Sequence, residues 1–339
     1  MMSSFASSNH ITEIIGNLPN GSVVTMKKAR ERQAQLTKPP GSLGKLEDIA
    51  VWLAGWQGVA EPQINNGQCL IFAGSHGVVA KGVSPFPAEV TAQMVMNFEA
   101  GGAAINQLCR EAGLSLTVVP LQLDVPTGDI SEGMAMTPDE VIAAMNAGAD
   151  ALDDSCDYLV VGEMGIGNTT AAAALTMGRF GGDASRWVGP GTGLDAEGVA
   201  HKAKIVDQAF ARHGRLNGDP VSLLAHYGGR ELAAIAGAVL AARMRSIPVM
   251  LDGFISSAAA SALTAGNRLS VLDHCEISHM SAEPGHLQLA VALHKQPIVD
   301  LNMRLGEGSG AATATLLVRA ALATHNGMAT FAEAGVSKA

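Results

Sequence analysis

Aromatic and charged side chains are scarce in this sequence. Phe, Trp and Tyr make up 4% of the 339 residues and Asp, Glu, Lys and Arg make up 16%, whereas hydrophobic residues make up 47%. Disordered chains show the opposite balance, so the composition predicts a folded protein with an aliphatic core. The shortage of rings also argues against single-stranded nucleic acid as a partner, because such surfaces stack aromatic side chains on the bases.

Long apolar runs and clusters of positive charge are absent as well. The longest apolar run, residues 232–242, is about half of the roughly 20 residues that a membrane-spanning helix requires. Residues 1–10 contain no basic residue followed by an apolar run, as a secretory signal would. The formal charge is −9 and Lys and Arg nowhere cluster, which disfavours nucleic acid as a partner. We therefore expect a cytoplasmic protein without a membrane span.

Cysteine and histidine lack the spacing of a disulfide framework or a metal site. The cysteines are Cys69, Cys109, Cys156 and Cys275. They form no Cys-x-x-Cys pair, and the ten histidines include no His-Glu-x-x-His motif. The nearest histidine cluster, in residues 274–286, is widely spaced. We expect reduced thiols and no bound metal, as in a cytoplasmic enzyme.

Short apolar runs alternate with helical stretches along the chain. The runs typical of buried strands are residues 69–73, 116–121, 158–162 and 248–252. Helices are expected at residues 43–57, 138–152, 231–243 and 256–265, among others. Such alternation indicates right-handed βαβ crossovers. The predicted fold class is therefore α/β, a Rossmann-like, three-layer parallel sheet flanked by helices, with a small helical subdomain from the chain ends.

The sequence shows no clear interdomain linker, so residues 1–339 are expected to form one unit. Within it, residues 68–300 are expected to hold the α/β sheet core. Residues 1–60 together with 308–339 are expected to form the helical subdomain. Ser22 is a plausible N-cap of an early helix, and the Lys-Pro-Pro-Gly-Ser segment at residues 38–42 interrupts the helical pattern.

Glycine-rich segments follow the predicted strands, where open parallel sheets bind their ligands. Residues 162–170 read Gly-Glu-Met-Gly-Ile-Gly-Asn-Thr-Thr and open an alanine-rich helix. The free N–H groups of such a helix start favour a phosphate or carboxylate, but a tight structural turn capped by Asn168 or Thr169 explains the spacing equally well. Glu163, between glycines at a strand end, is harder to explain as structure alone.

Three later segments carry further candidate groups. Residues 189–193 precede a helix containing Lys202, which is either a phosphate partner or a solvated surface lysine. In the polar segment 278–285, His279 is either a base or a hydrogen-bonding loop residue. In the segment 304–310, Glu307 stands between glycines ahead of an apolar helix. A glutamate there either interacts favourably with the helix dipole or acts as a general base within reach of a substrate proton.

In this order the segments resemble the nicotinate-nucleotide:dimethylbenzimidazole phosphoribosyltransferase family, which acts in assembling the lower ligand of cobalamin. The resemblance covers nearly everything from residue 38 to residue 310. The motifs that carry it are residues 38–44, 162–170, 252–254, 278–283 and 304–310. Five collinear motifs are far more specific than any one alone.

The resemblance implies transfer of phosphoribose from nicotinate mononucleotide to dimethylbenzimidazole, giving nicotinate and α-ribazole 5′-phosphate without a cofactor. Glu307 aligns with the family's catalytic glutamate, which takes the acceptor's proton while the configuration at C1′ inverts. The leaving pyridinium is already cationic, so it needs no acid. The acceptor must lose a proton as it attacks, so the reaction needs a base. The further substrate-binding residues that the resemblance implies are Glu163, Gly165, Gly191, Lys202, Ser281 and Leu305, with Phe86 and Met94 in the loop facing the aromatic base. The resemblance also implies a homodimer, as in other members of the family.

Two departures lie where the acceptor base is expected. Ser75 stands where many members have Asp, and residues 84–87 read Ser-Pro-Phe-Pro instead of the commoner form. The reaction class survives these changes, but the preference for one benzimidazole over another stays open. A ring methyl in an apolar pocket is worth only about 1–3 kcal/mol, which predicts loose selectivity.

Two other functions remain as alternatives at this stage. A nicotinamide-dinucleotide-dependent α/β enzyme needs an acidic residue about 20 positions after a Gly-x-Gly-x-x-Gly motif, which the region after residue 162 does not properly supply. A non-catalytic module that binds an aromatic base would bind it independently of Glu307 and release no nicotinate.

Overall fold

The computed structural model describes residues 4–337, and within them one parallel sheet has the strand order β2-β1-β3-β4-β5. The strands are β1 (Gly67–Ala73), β2 (Ser115–Pro120), β3 (Tyr158–Met164), β4 (Val249–Leu251) and β5 (Cys275–Ile277). Every neighbouring pair is parallel, and the order reverses direction between β1 and β3. The predicted α/β class with a parallel sheet is confirmed.

Helices cover both faces of this sheet. Among the described residues they are α1 (Ser8–Gly16), α2 (Val23–Gln33), α3 (Lys45–Gln57), α4 (Val90–Glu99), α5 (Ala104–Ala112), α6 (Pro138–Asp150), α7 (Asn168–Phe180), α8 (Ala196–His213), α9 (Pro220–Tyr227), α10 (Arg230–Met244), α11 (Gly253–Ser261), α12 (Pro284–Ala292), α13 (Ser309–Gly327) and α14 (Phe331–Ala334). No helix in this part of the chain has the length and apolar character needed to cross a membrane.

Alternate residues of each central strand enter two separate cores, because successive side chains of a strand point to opposite faces. Leu70 and Phe72 of β1 pack with α6, α7, α10 and α11, whereas Cys69 and Ile71 pack with α3, α5 and α13. β1 is buried along its whole length, as its continuous apolar run predicts. The result is the expected three-layer architecture.

The helices near the two chain ends are distributed over both faces of the sheet. Near the N-terminus, the backbone N–H of Phe5 donates to Asn146 on α6 at 2.7 Å, and Ile11 of α1 joins the core on that face. α3 and α13 pack together on the opposite face. The division into a sheet core and a helical subdomain stays a prediction, and residues 1–3 and 338–339 of it lie outside the described residues.

Several element bounds differ from the sequence-based expectation. The expected helix at residues 256–265 begins at Gly253 and ends at Ser261, where a 3₁₀ segment follows that contains non-helical backbone angles at Ala265 and Gly266. The strand expected at 158–162 continues to Met164, so Glu163 belongs to the strand rather than to the loop after it. β5 was not expected, since a three-residue strand has too few side chains to show a period.

Candidate active site

A cleft of about 540 Å³ lies over the carboxyl ends of β3, β4 and β5. Open parallel sheets bind ligands at this edge, near the point where the strand order reverses. The residues around the cleft are Phe86, Glu163, Met164, Gly165, Ile166, Asn168, Thr169, Gly191, Thr192, Asp252, Gly253, Phe254, Ile255, His279, Ser281, Glu283, Arg304, Leu305 and Gly306. Polar groups thus come from the segments that follow three different strands.

The structure brings most of the expected site residues to this cleft. Those that line it are Glu163, Gly165, Gly191, Ser281, Leu305 and Phe86. Glu307 follows Gly306 of the cleft wall and is itself only 6% exposed. Lys202 lies behind the wall, and half-buried Met94 of α4 packs against the core formed by α3, α5 and α13. The binding roles of Lys202 and Met94 stay predictions.

Glu307 occupies a conformation that few glutamates adopt. Its φ angle is +61°, and its neighbours Gly306 and Gly308 have φ angles of +78° and +74°. A side chain in the left-handed region costs free energy, and residues held there cluster at functional sites. The backbone N–H of Glu307 donates to the carbonyl oxygen of Glu163 at 3.2 Å, which ties the loop to the end of β3. The glycine on each side permits this turn into α13.

The surroundings of Glu307 favour its protonated form. Burial, and then the nearby carboxyl of Asp252, raise the pKa of Glu307 to about 7. A carboxyl that titrates near neutral pH is well matched to accept a proton from a substrate. This combination of strained backbone, burial and raised pKa is difficult to explain by helix capping.

Asp252, at the end of β4, provides the cap of α13 instead. Its Oδ2 accepts from the N–H of Gly308 and its Oδ1 from the N–H of Ala311, both at 3.0 Å. His279 approaches Asp252 with Nδ1 at 3.6 Å from Oδ1. Burial raises the pKa of Asp252, whereas His279 and the helix N–H groups act in the opposite direction. Asp252 therefore fixes the start of the helix that follows Glu307.

Glu163 is a second buried carboxyl on the cleft wall. Burial, followed by the charges of Asp252 and Glu231, holds the pKa of Glu163 well above its ordinary value, while a hydrogen bond from the Asn168 side chain opposes the shift. Asn168 Nδ2 donates to Glu163 Oε2. At the end of β3, Glu163 is thus placed to hold a proton or to accept a hydrogen bond from a ligand.

The glycine loop at residues 189–193 is held from several directions. Glu283 Oε1 accepts from Gly191 N at 2.8 Å, and Lys202 Nζ donates to the carbonyl of Gly189 at 3.2 Å. Arg304 Nη1 donates to the carbonyl of Gly191 at 2.9 Å. The loop backbone therefore forms one wall of the cleft.

Lys202 reaches the same wall from inside the protein. Its side chain is buried, and Nζ donates to Thr169 Oγ1 at 2.8 Å, beside the N-terminal turn of α7. Burial lowers the pKa of Lys202 to about 8, although the charge of Glu283 opposes the shift. The solvated-surface interpretation of Lys202 is therefore wrong. A helix start combined with an ammonium group provides the elements of an anion site.

The two segments that depart from the family pattern, at Ser75 and at residues 84–87, make hydrogen bonds to other loops. Ser75 Oγ donates to the carbonyl oxygen of Leu123 at 2.9 Å, so this side chain connects the end of β1 to the loop after β2. Ser84 Oγ and Thr192 Oγ1 are 3.1 Å apart, which joins the segment at residues 84–87 to the glycine loop. Phe86 is 46% exposed and lines the cleft. An apolar ring at the cleft mouth suits an aromatic ligand.

Sequence patterns did not assign roles to several residues of this site. Asp252, Glu283 and Arg304 lie within the glycine-rich and polar motifs, yet nothing in their spacing marks a helix cap, a loop anchor or a cation on the cleft wall. Their roles arise where β4, β5 and their following loops meet in space. Among residues 4–337, no group of three His, Cys, Asp or Glu side chains is arranged to hold a metal ion.

Comparisons with known proteins converge on one family. A family model described as "Phosphoribosyltransferase" matches residues 19–336. A nicotinate-nucleotide–dimethylbenzimidazole phosphoribosyltransferase from Novosphingobium aromaticivorans is 55% identical over 336 residues, which cover 99% of each chain. One of the same name from Rhizobium meliloti is 53% identical over 325 residues, or 96% of each chain. The crystal structure of CobT from Thermus thermophilus superposes with a TM-score of 0.87 at 42% identity, covering 93% of this chain and 100% of that one.

Proposed function

Because this chain belongs to the nicotinate-nucleotide–dimethylbenzimidazole phosphoribosyltransferase family, we propose that it transfers phosphoribose from nicotinate mononucleotide to dimethylbenzimidazole. The products are nicotinate and α-ribazole 5′-phosphate, which serves the nucleotide loop of cobalamin. The observation that carries this proposal is the Glu307 carboxyl beside the cleft, with a pKa raised to about 7. The reaction requires one base of this kind.

The proposed step is a displacement at C1′ of the ribose. One benzimidazole nitrogen attacks C1′ from the face opposite the pyridinium, and the bond from C1′ to the pyridinium nitrogen breaks. The bonding pair returns to the pyridine ring, which leaves as nicotinate without needing a proton. The other benzimidazole nitrogen loses its proton to Glu307. Attack from the opposite face inverts the β-nucleotide to the α-product, so no covalent enzyme intermediate is required.

We assign the 5′-phosphate to the wall that combines the start of α7 with Lys202. Thr169 lies in the first turn of α7, and the Lys202 ammonium is 2.8 Å from its hydroxyl. Gly165, Gly191 and Ser281 line the same cleft. Helix N–H groups and an ammonium group both favour a phosphate dianion. Glu163 and Leu305 then border the ribose and the reacting rings.

The acceptor base is assigned to the apolar side of the cleft near Phe86. Met164, Ile255 and Leu305 also line this cleft, so a benzimidazole meets mainly apolar side chains. Contacts of this kind discriminate weakly between related rings. Use of several benzimidazoles is therefore part of the proposal, together with a cytoplasmic homodimer as the working form.

The test is to incubate the protein with nicotinate mononucleotide and dimethylbenzimidazole and to quantify nicotinate and α-ribazole phosphate by chromatography. Equal amounts of both products are expected, and Glu307→Gln should lower kcat at least 100-fold, within the range typical of a lost general base. Glu111→Gln, an exposed change on α5, is the matched control. Full activity of Glu307→Gln would eliminate Glu307 as the base. Binding of the base without any nicotinate release by the unmodified protein would favour the non-catalytic module.

A further inference from the structure

Carboxyl groups outnumber permanent cations on the described part of the cleft wall. Glu163, Asp252 and Glu283 contribute carboxyl groups to it, whereas Arg304 contributes the one permanent positive charge among the described residues of the wall. Lys202 is only 1% exposed and lies behind that wall. An anionic ligand group away from the start of α7, where Lys202 lies, therefore has Arg304 as its cationic partner on the described part of the wall.

One hydrogen bond to the protein holds the guanidinium of Arg304 and leaves most of its N–H donors unpaired among the described residues. Its Nη1 donates to the carbonyl oxygen of Gly191, which belongs to the glycine loop at residues 189–193, at 2.9 Å. Within residues 4–337, this is the hydrogen bond that the structure shows for the guanidinium. A guanidinium has five N–H donors in a planar fork, so several stay available for a ligand.

Nicotinate mononucleotide carries two anionic groups, the 5′-phosphate and the carboxylate of its pyridine ring. The proposed function gives the phosphate its own partners, Lys202 and the start of α7. The ring carboxylate still needs a positive partner, because taking an anion out of water into the cleft costs free energy unless its charge is paired. Arg304 stands beside Leu305, which borders the reacting rings, and a guanidinium fork matches a carboxylate in two parallel hydrogen bonds.

Resting on the proposed function, we infer that Arg304 binds the carboxylate of the nicotinate ring and so selects nicotinate mononucleotide over nicotinamide mononucleotide. The amide analogue has no charge for the guanidinium to neutralise, although its phosphate and ribose are the same. Arg304 is therefore a specificity-determining residue for the leaving group.

The test measures kcat/KM for nicotinate mononucleotide and for nicotinamide mononucleotide at saturating dimethylbenzimidazole. For Arg304→Gln, kcat/KM with nicotinate mononucleotide should fall about 10- to 100-fold, mainly through KM, as expected for a lost charge-assisted hydrogen bond. The value for the amide analogue should stay within about twofold. Arg304→Lys should recover part of the loss, because lysine restores the charge but not the fork.

The control is Arg186→Gln, which removes an exposed arginine that donates to Gln288 outside the cleft. Product inhibition gives a second readout, since Arg304→Gln should weaken inhibition by free nicotinate and leave inhibition by nicotinamide unchanged. Equal losses with both nucleotides would overturn the inference and place Arg304 at the phosphate or in the support of the Gly191 loop. An unchanged preference would overturn it as well. Failure of the unmodified protein to release nicotinate would instead refute the proposed function.

Discussion

At the residue scale, the proposed function depends on two buried groups whose pKa values are shifted toward each other. Burial raises the pKa of Glu307 to about 7 and lowers the pKa of Lys202 to about 8. The proposed base acts when it has lost its proton, and the proposed phosphate partner acts while it keeps its proton. Both requirements are met together only in a narrow interval around pH 7 to 8.

We therefore predict a bell-shaped dependence of kcat/KM on pH. The acid limb should have an apparent pKa near 7 and the basic limb an apparent pKa near 8, because kcat/KM reports the groups of the free enzyme. Steady-state rates from pH 5.5 to 10 measure both limbs. The phosphate of the substrate also titrates near pH 6, so variants are needed to assign each limb.

The variants should affect different limbs. The residual activity of Glu307→Gln should lose the acid limb, because the amide does not titrate. Lys202→Arg should move the basic limb beyond the measured range, because a guanidinium keeps its charge. An acid limb that persists unchanged in Glu307→Gln would assign it to Glu163, Asp252 or the substrate.

Sequence motifs predicted several residues that the structure brings to the cleft, but not the residues whose contacts depend on packing. Glu307, Glu163 and the glycines stand in the motifs that carry the family resemblance, and their spacing alone left a structural explanation open. Asp252 caps a helix that begins more than 50 residues later, and this pairing exists only because β4 ends beneath α13. Such a contact has no local signature.

At the element scale, the sheet was predictable because its central strands are buried on both faces. The apolar runs of β1 and β3 indicated strands directly, and alternation with helices indicated parallel pairing. The ends of elements were less predictable. β4 and β5 have only three residues each, and α11 ends at Ser261, before the non-helical residues Ala265 and Gly266.

The contact between α6 and α10 depends on reciprocal glycines. A Cβ on Gly237 of α10 would lie 1.9 Å from the carbonyl oxygen of Met145, and a Cβ on Gly148 of α6 would lie 1.9 Å from that of Ala234. Both obstacles are backbone atoms, so no side-chain rotation relieves them. The two helices approach closely because neither position has a side chain.

We predict that Gly237→Ala destabilises the protein by about 1–3 kcal/mol or more, because overpacking forces the helices apart. Gly327→Ala, at the last residue of α13, is the matched control, since nothing lies within 4 Å of the added Cβ. Thermal unfolding followed by circular dichroism measures both. Equal midpoints for Gly237→Ala and the unmodified protein would show that the helices tolerate a wider separation.

At the scale of the whole molecule, the site concentrates groups that oppose folding. Burial raises the pKa of Glu163, Asp252 and Glu307, and the charge of Asp252 raises the pKa of both glutamates further. Glu163 belongs to β3 and Asp252 directly follows β4, so two neighbouring strands bring these carboxyls close enough for their charges to interact. The apolar cores on both faces therefore stabilise an arrangement that the carboxyls alone would disrupt.

This conflict predicts that Glu307→Gln is more stable than the unmodified protein at alkaline pH. The pKa of Glu307 is about 7 in the fold against an ordinary value of 4.5, so the native state binds the proton more tightly than the unfolded chain does. Stability then falls as pH rises from about 4.5 to 7, and the loss is complete above 7. Glutamine carries no charge in either state, so the gain in Tm of Glu307→Gln should be larger at pH 8 than at pH 5. Scanning calorimetry at both pH values measures this difference. A gain that did not change with pH would show that the Glu307 carboxyl titrates alike in both states, and its role as a base poised near neutrality would be lost with it.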